Sequence, residues 1–135
     1  MTIDAGGQLV TPGLVDPHTH LIFAGERSGE FEQRIAGATY QQIMAAGGGI
    51  NRTVKDTRAA SLDELIAQSR RRLDTMLAHG STTVECKSGY GLNTETEIMM
   101  LEAIARLNQQ HPVDLVATFL GAHAIPPEYT HDSNA

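Results

Sequence analysis

Apolar runs of strand length and amphipathic stretches of helix length succeed one another along this chain. Residues 9–23, LVTPGLVDPHTHLIF, break at Pro12-Gly13 and then run apolar apart from one polar cluster. The break reads as a turn, and Leu14-Val15 as the start of a buried strand. Residues 24–60 are rich in Gly and small side chains, a long excursion in which Thr39 to Ala46 suits a short helix stopped by Gly47-Gly48-Gly49. Excursions of this length are more often functional than not. Ser61 with Glu64 has the capping-box pattern, and Leu62, Leu65, Ile66, Leu73, Met76 and Leu77 follow at helical spacing until Gly80. Thr82 to Cys86 is a β-branched strand. A polar turn, KSGYGLN, leads to a second capping-box pattern, Thr94 with Glu97. Ile98, Leu101, Ile104 and Leu107 then form one apolar stripe that His111-Pro112 ends, and Val113 to Leu120 is another apolar strand.

The predicted order is strand, long insertion, helix, strand, helix, strand. Strands alternating with amphipathic helices predict an α/β fold with a parallel sheet and right-handed crossovers. At 135 residues the chain suits one ordinary domain. Ten Lys and Arg against sixteen Asp and Glu give a net charge of −6, which argues against nucleic acid as a partner. Arg70, Arg71 and Arg72 read as a solvated helix face. Cys86 is the only cysteine, so no internal disulfide can form, and its apolar strand suggests a buried thiol. No signal-peptide pattern is present, and no apolar run approaches the ~20 residues that span a bilayer. The expectation is a cytoplasmic protein without a membrane partner.

His18-Thr19-His20 is the sharpest chemical signal. Side chains two apart on a strand share a face, so both imidazoles can meet one metal ion, and neutral imidazole suits zinc or iron. A bare His-x-His is more often two incidental surface histidines than a metal site. Its place after a buried strand favours the metal reading, because α/β proteins build sites at the carboxyl ends of their strands. The next two strands end in the same way, at Lys87-Ser88-Gly89-Tyr90-Gly91 and at Gly121-Ala122-His123. Three strand ends thus deliver His18, His20, Tyr90 and His123 toward one rim. Taken singly, Arg27 suits a surface position, Tyr40 and Tyr90 suit packing, and His123 is as much a structural as a functional candidate. Lys87 is read as structural. Gly47-Gly48-Gly49 lacks the Lys-Ser/Thr of a phosphate loop.

PGLVDPHTHL resembles the first-strand signature of the amidohydrolase superfamily, whose members hold one or two metal ions in the mouth of a (β/α)₈ barrel. HTHLIFAGERSGEFEQRIAGATY, GGGI, STTVECKSGYGL and FLGAHAIPPEY are similar, in order and spacing, to the imidazolonepropionase family in particular, over residues 5 to 129. The resemblance implies that residues 11–135 are the first part of such a barrel and residues 1–10 a remnant of a flanking β-sandwich domain. It implies His18 and His20 as ligands of a zinc or iron ion. It also implies substrate contacts from Arg27, Tyr40, Tyr90 and His123, with His123 catalytic beside the imidazolone carbonyl. The reaction implied is hydrolysis of 4-imidazolone-5-propanoate to N-formimidoyl-L-glutamate in histidine breakdown, by a homo-oligomer in the intact family.

A barrel needs eight strands and ~250 residues, and three strands are predicted here. The family's other metal ligands and its glutamate acid–base have no counterpart, and the tail from Thr130 to Ala135 no longer resembles it. The chain is therefore expected to be an incomplete and inactive piece. Another cyclic amidohydrolase or deaminase, or a non-catalytic remnant, stays open as an alternative.

Overall fold

A computed structural model describes residues 2–130; Met1 and residues 131–135, the end of the divergent tail, lie outside the described residues. Strand β1 (Leu14–Thr19) is followed by three helices, α1 (Ser28–Ile35), α2 (Tyr40–Ala45) and α3 (Ile50–Ala59). Helix α4 (Leu62–Ala78), β2 (Ser81–Lys87), α5 (Thr94–Gln110) and β3 (Asp114–Thr118) complete two strand–helix repeats, with a short 3₁₀ turn at Pro127–Tyr129. The sheet has the order β1-β2-β3 and both pairings are parallel. Among the described residues the fold is α/β, as the alternation predicts.

Helix α4 starts where the capping box places it. The Ser61 hydroxyl accepts from Glu64 N at 3.3 Å and Glu64 reaches back to Ser61 N at 2.8 Å. It ends at Gly80, whose φ of +95° lies in the left-handed region that glycine occupies without strain. From there the chain turns directly into β2. Helix α5 departs from expectation, because Asn93 rather than Thr94 is its cap, accepting from Thr96 N at 2.8 Å. Glu97 is thereby released for another task.

The core lies between one sheet face and the two long helices. Val84 and Cys86 of β2 pack with Leu65 and Leu73 of α4, Met100, Ile104 and Leu107 of α5, and Ile22 from the segment after β1. The alternation of β2 explains the choice, since Val84 and Cys86 are two apart and share a face.

Three expectations change. Leu14 and Val15 are more exposed than buried, at 58% and 66%, because β1 forms an edge of this sheet. The 24–60 excursion holds three helices, where only α2 was legible. Helix α3 escaped notice because two of its three buried side chains are threonines; the Thr57 hydroxyl accepts from Ala24 N at 3.2 Å. The arginine cluster also divides. Arg71 is exposed, whereas Arg72 turns inward, donates to the carbonyls of Leu21 (3.0 Å) and Phe23 (2.7 Å), and lies 3.5 Å over the Phe23 ring. No described helix is long and apolar enough to cross a membrane.

The packing predicts a contrast on α4. In a complete protein carrying this segment, Leu73→Ala should lower unfolding free energy by about 2–5 kcal/mol, as fully buried leucines do. Arg71→Ala should stay within about 0.5 kcal/mol. Denaturant melts compare the two, and equal shifts would contradict the burial described here.

Candidate active site

Because the strands are parallel, their carboxyl ends leave the sheet along one edge. The β1 exit carries His18 and His20, the β2 exit Tyr90 and the β3 exit His123. These side chains converge. Ring centroids lie 5.8 Å apart for His18 and His20, 4.9 Å for His20 and Tyr90, and 5.4 Å for Tyr90 and His123. His20 and His123 stack at 4.6 Å with their planes 15° apart. Residues more than a hundred positions apart in sequence are thus in contact.

Local backbone chemistry sets each position. Pro17 has no N–H to give the β1 ladder, and the β1–β2 register shifts between Asp16 and Thr19. Thr19 then re-anchors the strand by donating its hydroxyl to Glu85 O at 2.7 Å. The β2 and β3 exits are stitched together by Ser88, which donates its N–H to Thr118 O and accepts from Leu120 N at its hydroxyl, both at 3.0 Å. His123 Nδ1 lies 3.1 Å from Gly89 O. A carbonyl only accepts, so Nδ1 carries the proton and Nε2 is left for the site.

The surroundings of His20 favour its neutral form. Burial lowers its pKa, and the neighbouring His123, His18 and Lys87 lower it further, against an opposing pull from Glu85. Its Nδ1 is buried and has no hydrogen-bond partner. An unpaired polar nitrogen in that position is costly unless something binds it. The Tyr90 hydroxyl is pushed up by burial, so it stays protonated and able to donate. Beneath the cluster, Glu85 and Lys87 form an ion pair. Burial raises the Glu85 carboxyl, but hydrogen bonds from Lys87, Thr118 and Thr19 outweigh that and leave it below the usual range.

Tyr90 also belongs to a cleft of about 450 Å³, lined among others by Phe23, Arg27, Glu30, Tyr40 and Arg72. Arg27 forms a fork on Glu30, through Nε at 2.9 Å and a second nitrogen at 2.8 Å. The other Glu30 oxygen accepts from Gly49 N at 2.9 Å, tying the glycine run to this wall. Tyr40 stands exposed on the cleft lining. The predicted residues therefore form two joined groups, a ring cluster of His18, His20, Tyr90 and His123 and a cleft with Arg27, Tyr40 and Tyr90. Sequence reasoning missed Arg72 and Glu30 in the cleft wall. The apolar spacing of α4 could have flagged Arg72, which sits one position before the buried Leu73.

His18 and His20 suit two positions of a metal site, given their proximity and the unpartnered Nδ1. Among the described residues no third His, Cys, Asp or Glu joins them in a group able to hold an ion. Sites in proteins normally use three or four such ligands, so this pair alone falls short of one.

Comparison with known sequences finds relatives along nearly the whole chain. A profile of the amidohydrolase family matches residues 1–49. The imidazolonepropionase of Herpetosiphon aurantiacus is 65% identical over 134 residues, which is 99% of this chain and 31% of that protein. The imidazolonepropionase of Geobacillus kaustophilus is 62% identical over 130 residues, covering 96% of this chain and 31% of the relative. That of Brevibacillus brevis is 59% identical over 133 residues, 98% of this chain and again 31% of the relative. The chain spans about 31% of the length of these curated relatives.

Cys86 lies near this site but is no part of its chemistry. It is fully buried, and burial pushes its thiol up to about 11, which leaves almost no thiolate at neutral pH. A thiol-specific reagent should leave Cys86 unmodified in the native protein and label it stoichiometrically after denaturation. Rapid labelling of the folded form, read by peptide mass, would contradict this placement.

Proposed function

We propose, for a chain that belongs to the imidazolonepropionase family of the amidohydrolases, that it supplies half of the metal site and the substrate pocket of an enzyme hydrolysing 4-imidazolone-5-propanoate to N-formimidoyl-L-glutamate. The observation that carries the reading is the ring cluster of His18, His20, Tyr90 and His123, joined through Tyr90 to the arginine-bearing cleft. On this reading residues 11–135 are the first part of a (β/α)₈ barrel, with its first three strands, and residues 1–10 are a remnant of a small β-sandwich domain. The remaining metal ligands and the general acid–base belong to later strands. The intact enzyme is a cytoplasmic homo-oligomer, without nucleic-acid or membrane partners.

His18 and His20 would hold a zinc or iron ion, which when bound acidifies water toward a pKa of ~7 and so makes hydroxide available near neutrality. The residues of this chain orient the substrate for that attack. Arg27 offers a guanidinium to the propanoate carboxylate, already held at the cleft by Glu30. Tyr40 and Tyr90 flank the ring. His123, with Nδ1 committed to Gly89 O, directs Nε2 chemistry at the ring carbonyl, where negative charge develops on oxygen. Water adds its oxygen to the carbonyl carbon and the ring C–N bond breaks. One proton of that water passes to the leaving nitrogen through the acid–base outside this segment, and the other is lost to solvent as the new carboxyl group ionises.

Two outcomes test the reading. In a complete enzyme carrying this segment, Arg27→Ala should raise KM for the imidazolone substrate by roughly tenfold to a hundredfold, since a charge-assisted contact is worth ~1.5–3 kcal/mol. Unchanged steady-state kinetics would place the carboxylate elsewhere. The isolated 135-residue chain, supplied with excess zinc or ferrous iron, should show no turnover, because groups that act as a unit fail together. Turnover near that of a complete family member would refute the division of the site between segments.

A further inference from the structure

Glu97 is a carboxylate only 3% exposed, in the first turn of α5, and nothing in the proposed reaction uses it. Burying such a group is costly unless hydrogen bonds replace its water. Here they do, and all come from one turn. Glu97 accepts from Gly89 N at 2.9 Å, Gly91 N at 2.7 Å and Leu92 N at 2.9 Å. Arg58 of α3 takes the acceptors of the same turn, donating to Gly91 O at 2.6 Å and Leu92 O at 3.0 Å. Its third nitrogen pairs with Glu128, on the 3₁₀ turn after the β3 exit, at 2.7 Å.

The turn so gripped is an unfavourable one. Gly89 and Leu92 have φ of +108° and +51°, and leucine enters that region at a cost. A Cβ on Gly91 would stand 2.7 Å from Glu97 N, so helix and turn touch backbone to backbone. The turn carries Tyr90, and its Gly89 carbonyl holds His123 Nδ1.

We infer that Glu97 and Arg58 are positioning residues that hold the Gly89–Leu92 turn between opposite charges and thereby fix Tyr90 and His123. The inference rests on the function proposed above only for its kinetic consequence. A capping role for Glu97 would stabilise α5 alone. The arrangement seen instead spends all its contacts outside the helix, on the backbone that bears two site residues.

The test uses a complete enzyme carrying this segment, with Glu97→Gln and, as a partly exposed second handle, Arg58→Met. Hydrogen exchange comes first and needs no activity. The Gly89, Gly91 and Leu92 amides should exchange faster in Glu97→Gln, with β2 and β3 amides still protected. Steady-state kinetics on the imidazolone substrate come second. Misplacing groups in this way can cost on the order of a hundredfold, and kcat/KM per folded molecule should fall toward that extent at unchanged metal content. In a Tyr90→Ala background the same substitutions should cost severalfold less, because residues acting through one another are not additive. Unaltered amide exchange would overturn the clamp. Folded variants with parental kinetics, full additivity with Tyr90→Ala, or failure of both variants to fold would assign the pair to stability and overturn its positioning role. A parent that does not hydrolyse the substrate would sink the proposed function, while the exchange result still judges the clamp.

Discussion

Parallel pairing of β1 with β2 and of β2 with β3 is the constraint from which the rest of this structure follows. Strands that run the same way cannot be joined by tight turns, so each must be followed by a return crossing. Helices α4 and α5 make those crossings, and their apolar stripes cover one face of the sheet, burying Val84 and Cys86. The same pairing sends every strand out along one edge. The meeting of His18, His20, Tyr90 and His123 is thus a result of topology before it is a result of any side-chain attraction.

What topology leaves undetermined is how firmly each exit is held, and here the charged groups have their main use. Arg72 binds carbonyls of the segment after β1 and lies over Phe23. Glu30 ties Arg27 to the glycine run. Glu97 and Arg58 divide the donors and acceptors of the turn after β2 between them. Each of these groups hydrogen-bonds backbone polar atoms of the segment it holds. The ring cluster and the arginine cleft are consequently built on backbone held by side-chain charge. Tyr90 links the two, so whatever fixes its turn acts on both.

Much of this was legible in the sequence, for physical reasons that differ by element. Strand β2 and helix α4 were clear because one face of each is apolar at its proper period, and Ser61 with Glu64 marks the start of α4. The approach of His18 to His20 follows from two-residue spacing at a strand end. Helix α3 was hidden because threonines fill its buried face, with Thr57 bonded to Ala24. Thr94 with Glu97 carries the capping-box pattern without the box, since Asn93 one position earlier is the better placed acceptor and Glu97 is drawn to the turn before it. Arg72 could not be told from Arg71 by composition. The rotation of α4 against the sheet, which its apolar spacing carries, decides which arginine faces inward. The exposure of Leu14 and Val15 reflects an open edge at β1, a property of neighbours rather than of the strand itself.

The central claim is that this segment supplies two metal ligands and the substrate-binding wall of an imidazolonepropionase. The most direct measurement replaces the matching portion of the Herpetosiphon aurantiacus relative, 65% identical to this chain, with residues 2–130, and records metal content and turnover of 4-imidazolone-5-propanoate together. The account predicts a folded chimera that binds metal and hydrolyses the substrate, and that loses both properties when His18 and His20 are changed to alanine. A folded chimera that hydrolyses the substrate and keeps its full metal complement after that double substitution would contradict it.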